Sequence, residues 1–258
     1  MCLLVLAWHA HPRYRLVVAA NRDEFHERPA APVSRWPEPP GILAGRDLQA
    51  GGTWLGIDPQ RRFGVVTNFR ELQRPAPTAP SRGELIPQFL HGTASPSDYL
   101  AALQPHASTY SGFNLLLADR DSLWYGCNRL DGFARHLDPG IYGLSNEYLD
   151  TPWPKLQRVR QRFTAWVAAA SCERAELFEL LADTTRVADA ELPRTGLTIE
   201  WERILSSPFV AHPQYGTRCS TVLLLEHSGA LRLHERRFDA QGSGIGDTEV
   251  QLGANEWL

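Results

Sequence analysis

Cysteine at position 2, directly behind Met1, is the residue of this chain best placed to do chemistry. Methionine aminopeptidase removes an initiator methionine when the next residue is small, and cysteine qualifies. The chain would then open with a thiol and a free α-amine on one carbon, a nucleophile and a base joined by covalent geometry. A free thiol titrates near ~8.5 and an α-amine near ~7.7–8.0, so both are poised at neutral pH. In this arrangement the chain's own amine does what a histidine does elsewhere. A retained Met1 would turn that amine into an amide, which is no base. The bland reading is an interior strand, since Cys2-Leu3-Leu4-Val5-Leu6 is apolar and free cysteine is among the most buried residue types.

Other polar residues stand where such a nucleophile would need them. Asn21-Arg22-Asp23-Glu24 follows the apolar run Leu16–Ala20. If that run pairs with Cys2–Trp8 in a hairpin, the segment returns beside Cys2. There a cation would favour the thiolate and a carboxylate the ammonium. In a turn, the same charges would only be solvated. Asn68 and Asn146 each close a predicted strand, as Thr67-Asn68 and Gly143-Leu144-Ser145-Asn146. Asparagine there is either turn chemistry or an amide donor to a developing oxyanion. Arg218 stands at a strand start in Tyr215-Gly216-Thr217-Arg218.

The elements that must position these residues are mostly short strands. Cys2–Trp8 with Leu16–Ala20, Thr53–Ile57 with Phe63–Thr67, and Phe113–Ala118 with Leu123–Cys127 read as hairpins, and Ile141–Leu144 as a further strand. Ser220–Glu226 and Leu231–Phe238 form a last hairpin. Arg28–Gly41 holds Pro29, Pro32, Pro37, Pro39 and Pro40 and reads as an irregular surface loop. Arg74–Pro80 is a second proline-rich stretch, and a helix starts near Ser81-Arg82-Gly83-Glu84. Leu156, Val159, Phe163, Trp166 and Val167 recur at helical spacing, with Thr151 as cap and Pro152 at the first position. A second helix, about Glu173–Leu181, would bury Ala175, Leu177, Phe178 and Leu181. Gly242–Gly246 looks like a phosphate loop but opens no predicted helix, so it reads as a flexible connection. Hairpins flanking a helical middle imply an α+β fold of two packed sheets with helices outside. Without a linker or repeat, residues 1–258 read as one domain.

Composition narrows the function class. The chain has 258 residues, 43% hydrophobic and 21% charged, as in an ordinary globular protein. A net charge of −3 gives no electrostatic reason to expect nucleic acid. No stretch approaches the ~20 apolar residues that span a bilayer, and the opening apolar run is too short for a secretory signal. A cytoplasmic location is expected. Cys2, Cys127, Cys172 and Cys219 lack Cys-x-x-Cys spacing for zinc or redox work and are expected to stay reduced. No metal site is expected. The nine histidines are scattered, none in a recognisable axial-ligand context for haem.

Taken together, these segments carry a resemblance. The chain resembles the NRDE family, also called transport-and-Golgi-organisation type 2 proteins. The resemblance lies in Met1-Cys2, Ala19-Ala20-Asn21-Arg22-Asp23-Glu24-Phe25, Gly51-Gly52-Thr53-Trp54-Leu55-Gly56 and Thr67-Asn68. It continues in Ser81-Arg82-Gly83-Glu84-Leu85, Gly112-Phe113-Asn114-Leu115, Gly143-Leu144-Ser145-Asn146, Thr151-Pro152-Trp153-Pro154-Lys155 and Tyr215-Gly216-Thr217-Arg218. The family looks like a branch of the N-terminal-nucleophile hydrolases, which implies a four-layer αββα sandwich of two mainly antiparallel sheets. Cysteine hydrolases of that superfamily use an N-terminal cysteine, an early Arg and Asp, two later asparagines and a late arginine. The resemblance maps those roles onto Cys2, Arg22, Asp23, Asn68, Asn146 and Arg218.

Two functions follow. The first is an amidohydrolase that cleaves a linear carbon–nitrogen amide through Cys2 and needs no cofactor. The second is a non-catalytic protein that carries haem, or an acyl-CoA or lipid-like ligand, in the same pocket. The family is similar to proteins implicated in both kinds of trafficking. A scaffolding role ranks last, because clustered polar residues at strand ends suit a site better than a packing surface.

Overall fold

The computed structural model describes residues 2–71 and 79–257, with Cys2 described through its backbone alone. Met1 and most of the proline-rich stretch at 74–80 lie outside the described residues. In chain order the first strands are β1 (Cys2–Trp8), β2 (Tyr14–Phe25), β3 (Ala30–Arg35), β4 (Leu43–Asp47), β5 (Leu55–Ile57) and β6 (Phe63–Asn68). After helices α1 (Leu85–His91) and α2 (Pro96–Leu103) come β7 (Phe113–Ala118), β8 (Leu123–Cys127), β9 (Ala134–Leu137) and β10 (Gly140–Leu144). Helices α3 (Pro154–Ala168), α4 (Arg174–Leu181) and α5 (Ile199–Ile204) precede β11 (Tyr215–Glu226), β12 (Leu231–Phe238) and β13 (Gly244–Leu252). The fold is α+β, with two antiparallel sheets.

The chain divides into two compact units. The first comprises Met1–Glu27, Pro139–Ser145 and Leu149–Glu256. Its sheet runs β10-β1-β2-β11-β12-β13, antiparallel at every pairing. Side chains alternate across a strand, so Leu3, Val5 and Ala7 of β1 share a face with Val17 and Ala19 of β2 and Val222 and Leu224 of β11. That face packs on Leu156, Val159, Phe163, Trp166 and Val167 of α3, the stripe that the helical spacing predicts. In α4 the buried residues are Leu177, Phe178, Leu180 and Leu181, whereas Ala175 is exposed. Helix α3 starts later than its sequence suggests. Trp153 is buried and extended at the cap position, its N–H donates to the Thr151 carbonyl, and Pro154 takes the first helical position.

The second unit comprises Arg28–Asp138, Asn146–Tyr148 and Trp257–Leu258. Its sheet runs β3-β4-β5-β6-β7-β8-β9. Ile86, Phe89 and Leu90 of α1 and Leu100 of α2 pack with Val66, Phe113, Leu115 and Leu117 in its core. Strand β3 lies inside the segment expected to be an irregular loop. The prolines mislead there: β3 is an edge strand, and its pairing with β4 shifts between Ala31 and Ser34, which accommodates Pro32. The glycine-rich run at 242–246 is corrected in the same way. Gly244 opens β13, an edge strand whose register with β12 slips at Arg237/Phe238.

Gly52 shows how tightly the second unit is drawn together. A Cβ at this position would collide with the Gly83 carbonyl and come within 2.9 Å of the Glu84 nitrogen, all main-chain atoms. The same approach carries the bond from Thr53 N–H to the Gly83 carbonyl, 2.9 Å long. Backbone here cannot yield locally. Gly52→Ala is therefore expected to lower the unfolding free energy by about 1–3 kcal/mol, read from the denaturant midpoint at unchanged m-value.

Candidate functional site

Strand β2 does not stop at its apolar run. It continues through Asn21-Arg22-Asp23-Glu24, which therefore lie in the ladder and not in a turn. Cys2 pairs with Arg22, and Arg22 pairs on its other side with Cys219 of β11. Asn21, Arg22 and Asp23 are all buried, at 1%, 6% and 1% exposure. Solvated turn charges are thereby excluded. The β2–β11 register slips between Thr217 and Cys219, so Arg218 is the extra residue of a β-bulge, a device that re-aims a side chain. Its Nη1 donates to the carbonyls of Phe25 at 2.9 Å and His26 at 3.2 Å. Burial, and then the nearby charge of Arg22, lower the proton affinity of Arg218.

Asp23 sits in a built polar network. Its Oδ1 accepts from Thr217 Oγ1 at 2.7 Å, and the same hydroxyl oxygen accepts from Val210 N–H at 2.9 Å. The Tyr215 hydroxyl donates to the Asp23 main-chain carbonyl at 3.0 Å. Burial pushes the Asp23 carboxyl above the usual aspartate range, against the opposing pull of Lys155, the Thr217 hydrogen bond and Arg22. Lys155, in the first turn of α3, is only 2% exposed. Asn21 has a different duty. Its amide donates to the carbonyls of Leu181 and Pro208, and its Oδ1 accepts from Ser220 Oγ, tying β2 to the end of α4.

Asn68 and Asn146 belong to the second unit, and there they meet. Asn146 is fully buried, and its Nδ2 donates to the main-chain carbonyl of Asn68 at 3.0 Å. The Asn146 carbonyl in turn accepts from Arg70 N–H at 2.6 Å. Nearby, Glu71 pairs with Arg129, and the rings of Phe69 and Tyr148 meet edge-on at 5.0 Å. A separate cavity of about 570 Å³ in this unit is lined by Pro39, Pro40, Gln60, Arg62, His91 and Thr93. The Arg62 guanidinium is already engaged by Asp58 and by the Leu90 and Gly92 carbonyls.

The sequence points to Arg22, Asp23 and Arg218 but gives no sign that Thr217 and Tyr215 bond to Asp23, nor that Lys155 is buried. All three stand inside the segments that carried the family resemblance, where they read only as helix start and strand opening. Among the described residues no group of three or more His, Cys, Asp or Glu side chains is arranged to hold a metal ion. Several histidine rings face main-chain carbonyls: His11 with Ser171, His26 with His212, and His227 with His11.

Comparison with known proteins places this geometry in context. The family model described as Transport and Golgi organisation 2 matches residues 1–240. The Transport and Golgi organization 2 homolog of Mus musculus is 33% identical over 256 residues, covering 92% of each chain. The Homo sapiens homolog is 34% identical with the same coverage. Among solved structures, a C2A mutant of the conjugated bile acid hydrolase from Clostridium perfringens is similar, with a TM-score of 0.52 and 8% identity. That likeness spans 99% of this chain and 94% of the other, and at such identity it speaks for the fold alone.

The Thr217 hydroxyl serves two buried partners at once, so its removal leaves both unmatched. Thr217→Val is expected to lower the unfolding free energy by about 1–3 kcal/mol, and Thr217→Ser to recover most of that loss in the same denaturant melt.

Proposed function

The chain belongs to the Transport and Golgi organisation 2 family, and from that premise we propose that it is a cysteine N-terminal-nucleophile amidohydrolase acting on a linear amide bond. The register of β1 against β2 supports this reading most directly. It sets Cys2 opposite a buried arginine and next to a buried aspartate. A cation to favour a thiolate and a carboxylate to favour an ammonium are what a residue carrying both groups requires. A protein of similar fold is named for hydrolysing conjugated bile acids. The reading takes a reaction class from that name and no substrate, because fold does not carry function with it.

With Met1 removed, Cys2 Sγ attacks the amide carbonyl carbon while the α-amine accepts the thiol proton. The amine then passes that proton to the leaving nitrogen as the carbon–nitrogen bond breaks, leaving a thioester on Cys2. Water, deprotonated by the same amine, attacks the thioester; the carboxylic acid departs and the thiol is restored. Arg22 stabilises the thiolate and Asp23 orients the ammonium. Arg218, fixed by two main-chain carbonyls, completes the charge balance. Every step uses groups of the chain and water.

The test joins two measurements. Intact mass identifies protein that has lost Met1, and that protein is offered a panel of N-acyl amides with amine release as the readout. Turnover is expected, and Cys2→Ala should lose at least roughly 1,000-fold in kcat, as removal of a nucleophile does. A variant without the thiol that matches wild type would end the reading. So would an inert panel together with a haem titration that shifts the Soret band, which would transfer the argument to ligand carriage.

A further inference from the structure

The cavity of about 570 Å³ in the second unit is built from connections between elements. Pro39 and Pro40 come from the link between β3 and β4, Gln60 and Arg62 from the turn between β5 and β6, and His91 and Thr93 from the join of α1 to α2. The volume is that of a small-molecule site. Its walls are fixed by the chain itself. Beside the prolines, the Gly41 N–H donates to the Glu38 carbonyl at 2.7 Å, and the Gly41 carbonyl accepts from Trp257 Nε1 at 2.9 Å. The turn below is closed by Asp58 N–H on the Arg62 carbonyl at 3.0 Å and Arg61 N–H on the Asp58 carbonyl at 2.9 Å.

Arg62 decides what such a cavity can hold. Its Nε donates to Asp58 Oδ2 at 2.6 Å, Nη2 to the Leu90 carbonyl at 2.9 Å and to the Gly92 carbonyl, and Nη1 to the Ala94 carbonyl at 3.4 Å. The fork that would clasp a carboxylate or phosphate is therefore filled from within, and Asp58 balances its charge. On one side, Cζ stands 5.1 Å from the centre of the Phe89 ring. What Arg62 offers the cavity is its other face and its aliphatic stem, and both suit a flat ring. Around them Gln60, His91 and Thr93 are exposed, and none of the three makes a side-chain hydrogen bond among the described residues. The neighbouring residues already hold one ring in this way. The Trp257 indole lies 5.2 Å from Arg61 Cζ while its N–H reaches the Gly41 carbonyl.

We propose that this cavity is a second ligand site, which takes a neutral, flat heteroaromatic ring stacked on Arg62 beside Pro39 and Pro40 and bonded at its edge by Gln60, His91 and Thr93. The site uses no residue of the Cys2 chemistry and stands apart from the hydrolase reading. Anions are turned away because the donors of Arg62 are spent. A ring without a polar edge gains the stacking alone and leaves the three polar side chains short of partners.

The probe is indole, followed through the His91 Cε1–H signal in NMR of the full chain, with 1-methylindole and inorganic phosphate beside it. Indole is expected to shift that signal along a curve that saturates. 1-Methylindole, which has lost the ring N–H, should bind about fivefold more weakly, and phosphate should neither shift the signal nor compete. Arg62→Met removes the floor, but it also strands the fully buried Asp58 and can cost the fold. Gln60→Ala combined with Thr93→Val alters only exposed side chains and should weaken indole about tenfold. No saturable shift, a double variant that binds like wild type, or phosphate that competes with indole each overturns the proposal. So does indole that displaces Trp257, seen as a change in the Trp257 Nε1–H cross-peak with His91 unmoved, since the ring would then have taken the seat on Arg61.

Discussion

The pairing of β1 with β2, and of β2 with β11, is the constraint from which the rest of the first unit follows. Side chains in a ladder repeat every two residues, so a slip of one position would send every core residue to the opposite face. Here Leu3, Val5 and Ala7, Val17 and Ala19, and Val222 and Leu224 must all meet α3 and α4 together. No other register satisfies them. The apolar half of the strands thus fixes the polar half: once Leu4 pairs with Ala20, Cys2 can pair only with Arg22. A site built this way owes its precision to residues that do no chemistry.

The ladder also explains how charges survive where they are. Arginine, aspartate and lysine at a few per cent exposure would destabilise a fold that could escape them by shifting a strand. In the first unit escape is closed off. Asp23 is held by Thr217 through its carboxyl and by Tyr215 through its main chain, and Thr217 is itself held by Val210. The bulge at Arg218 is where the register gives way beside Asp23, and there the guanidinium meets the carbonyls of Phe25 and His26. Regular pairing up to Thr217 and an irregularity just after it are both needed.

Much of the fold could be read in the sequence because its signals are local. Apolar runs marked β1, β7 and β11, and helical spacing marked the inner stripe of α3. What escaped was decided elsewhere in the chain. Strand β3 has the prolines of a loop and is a strand because β4 lies beside it. Strand β13 begins in glycines and is held by β12. The site divides along the same line. Arg22 and Asp23 were visible as polar residues at a strand end, but their burial was not, since it depends on the pairing of β2 with β1 and β11 and, for Asp23, on the network through Thr217 and Val210. Asn68 and Asn146 were each legible as strand-terminal asparagines. That one binds the main chain of the other, 78 positions away, is a tertiary fact. Lys155 was hidden most fully, because a lysine after Pro-Trp-Pro reads as the solvated start of a helix.

The segment Asn21-Arg22-Asp23-Glu24 shows why residue type alone could not assign duties. On a strand these four cannot form a single cluster, since successive side chains point to opposite faces. Asn21 and Asp23 share the face that α3 and α4 cover, where Asn21 meets the Leu181 and Pro208 carbonyls and Asp23 the Thr217 hydroxyl. Arg22 and Glu24 take the other face, and it is Arg22 that stands opposite Cys2 in the ladder. One face therefore anchors the strand and sets a carboxylate, while the other carries the cation. Asp23 bridges the two roles: its side chain lies among the anchoring contacts, and its backbone continues the strand that bears Arg22. The helix layer is linked to Arg22 through the β2 backbone, which Asn21 ties to Leu181 and Pro208 and Thr217 holds at Asp23.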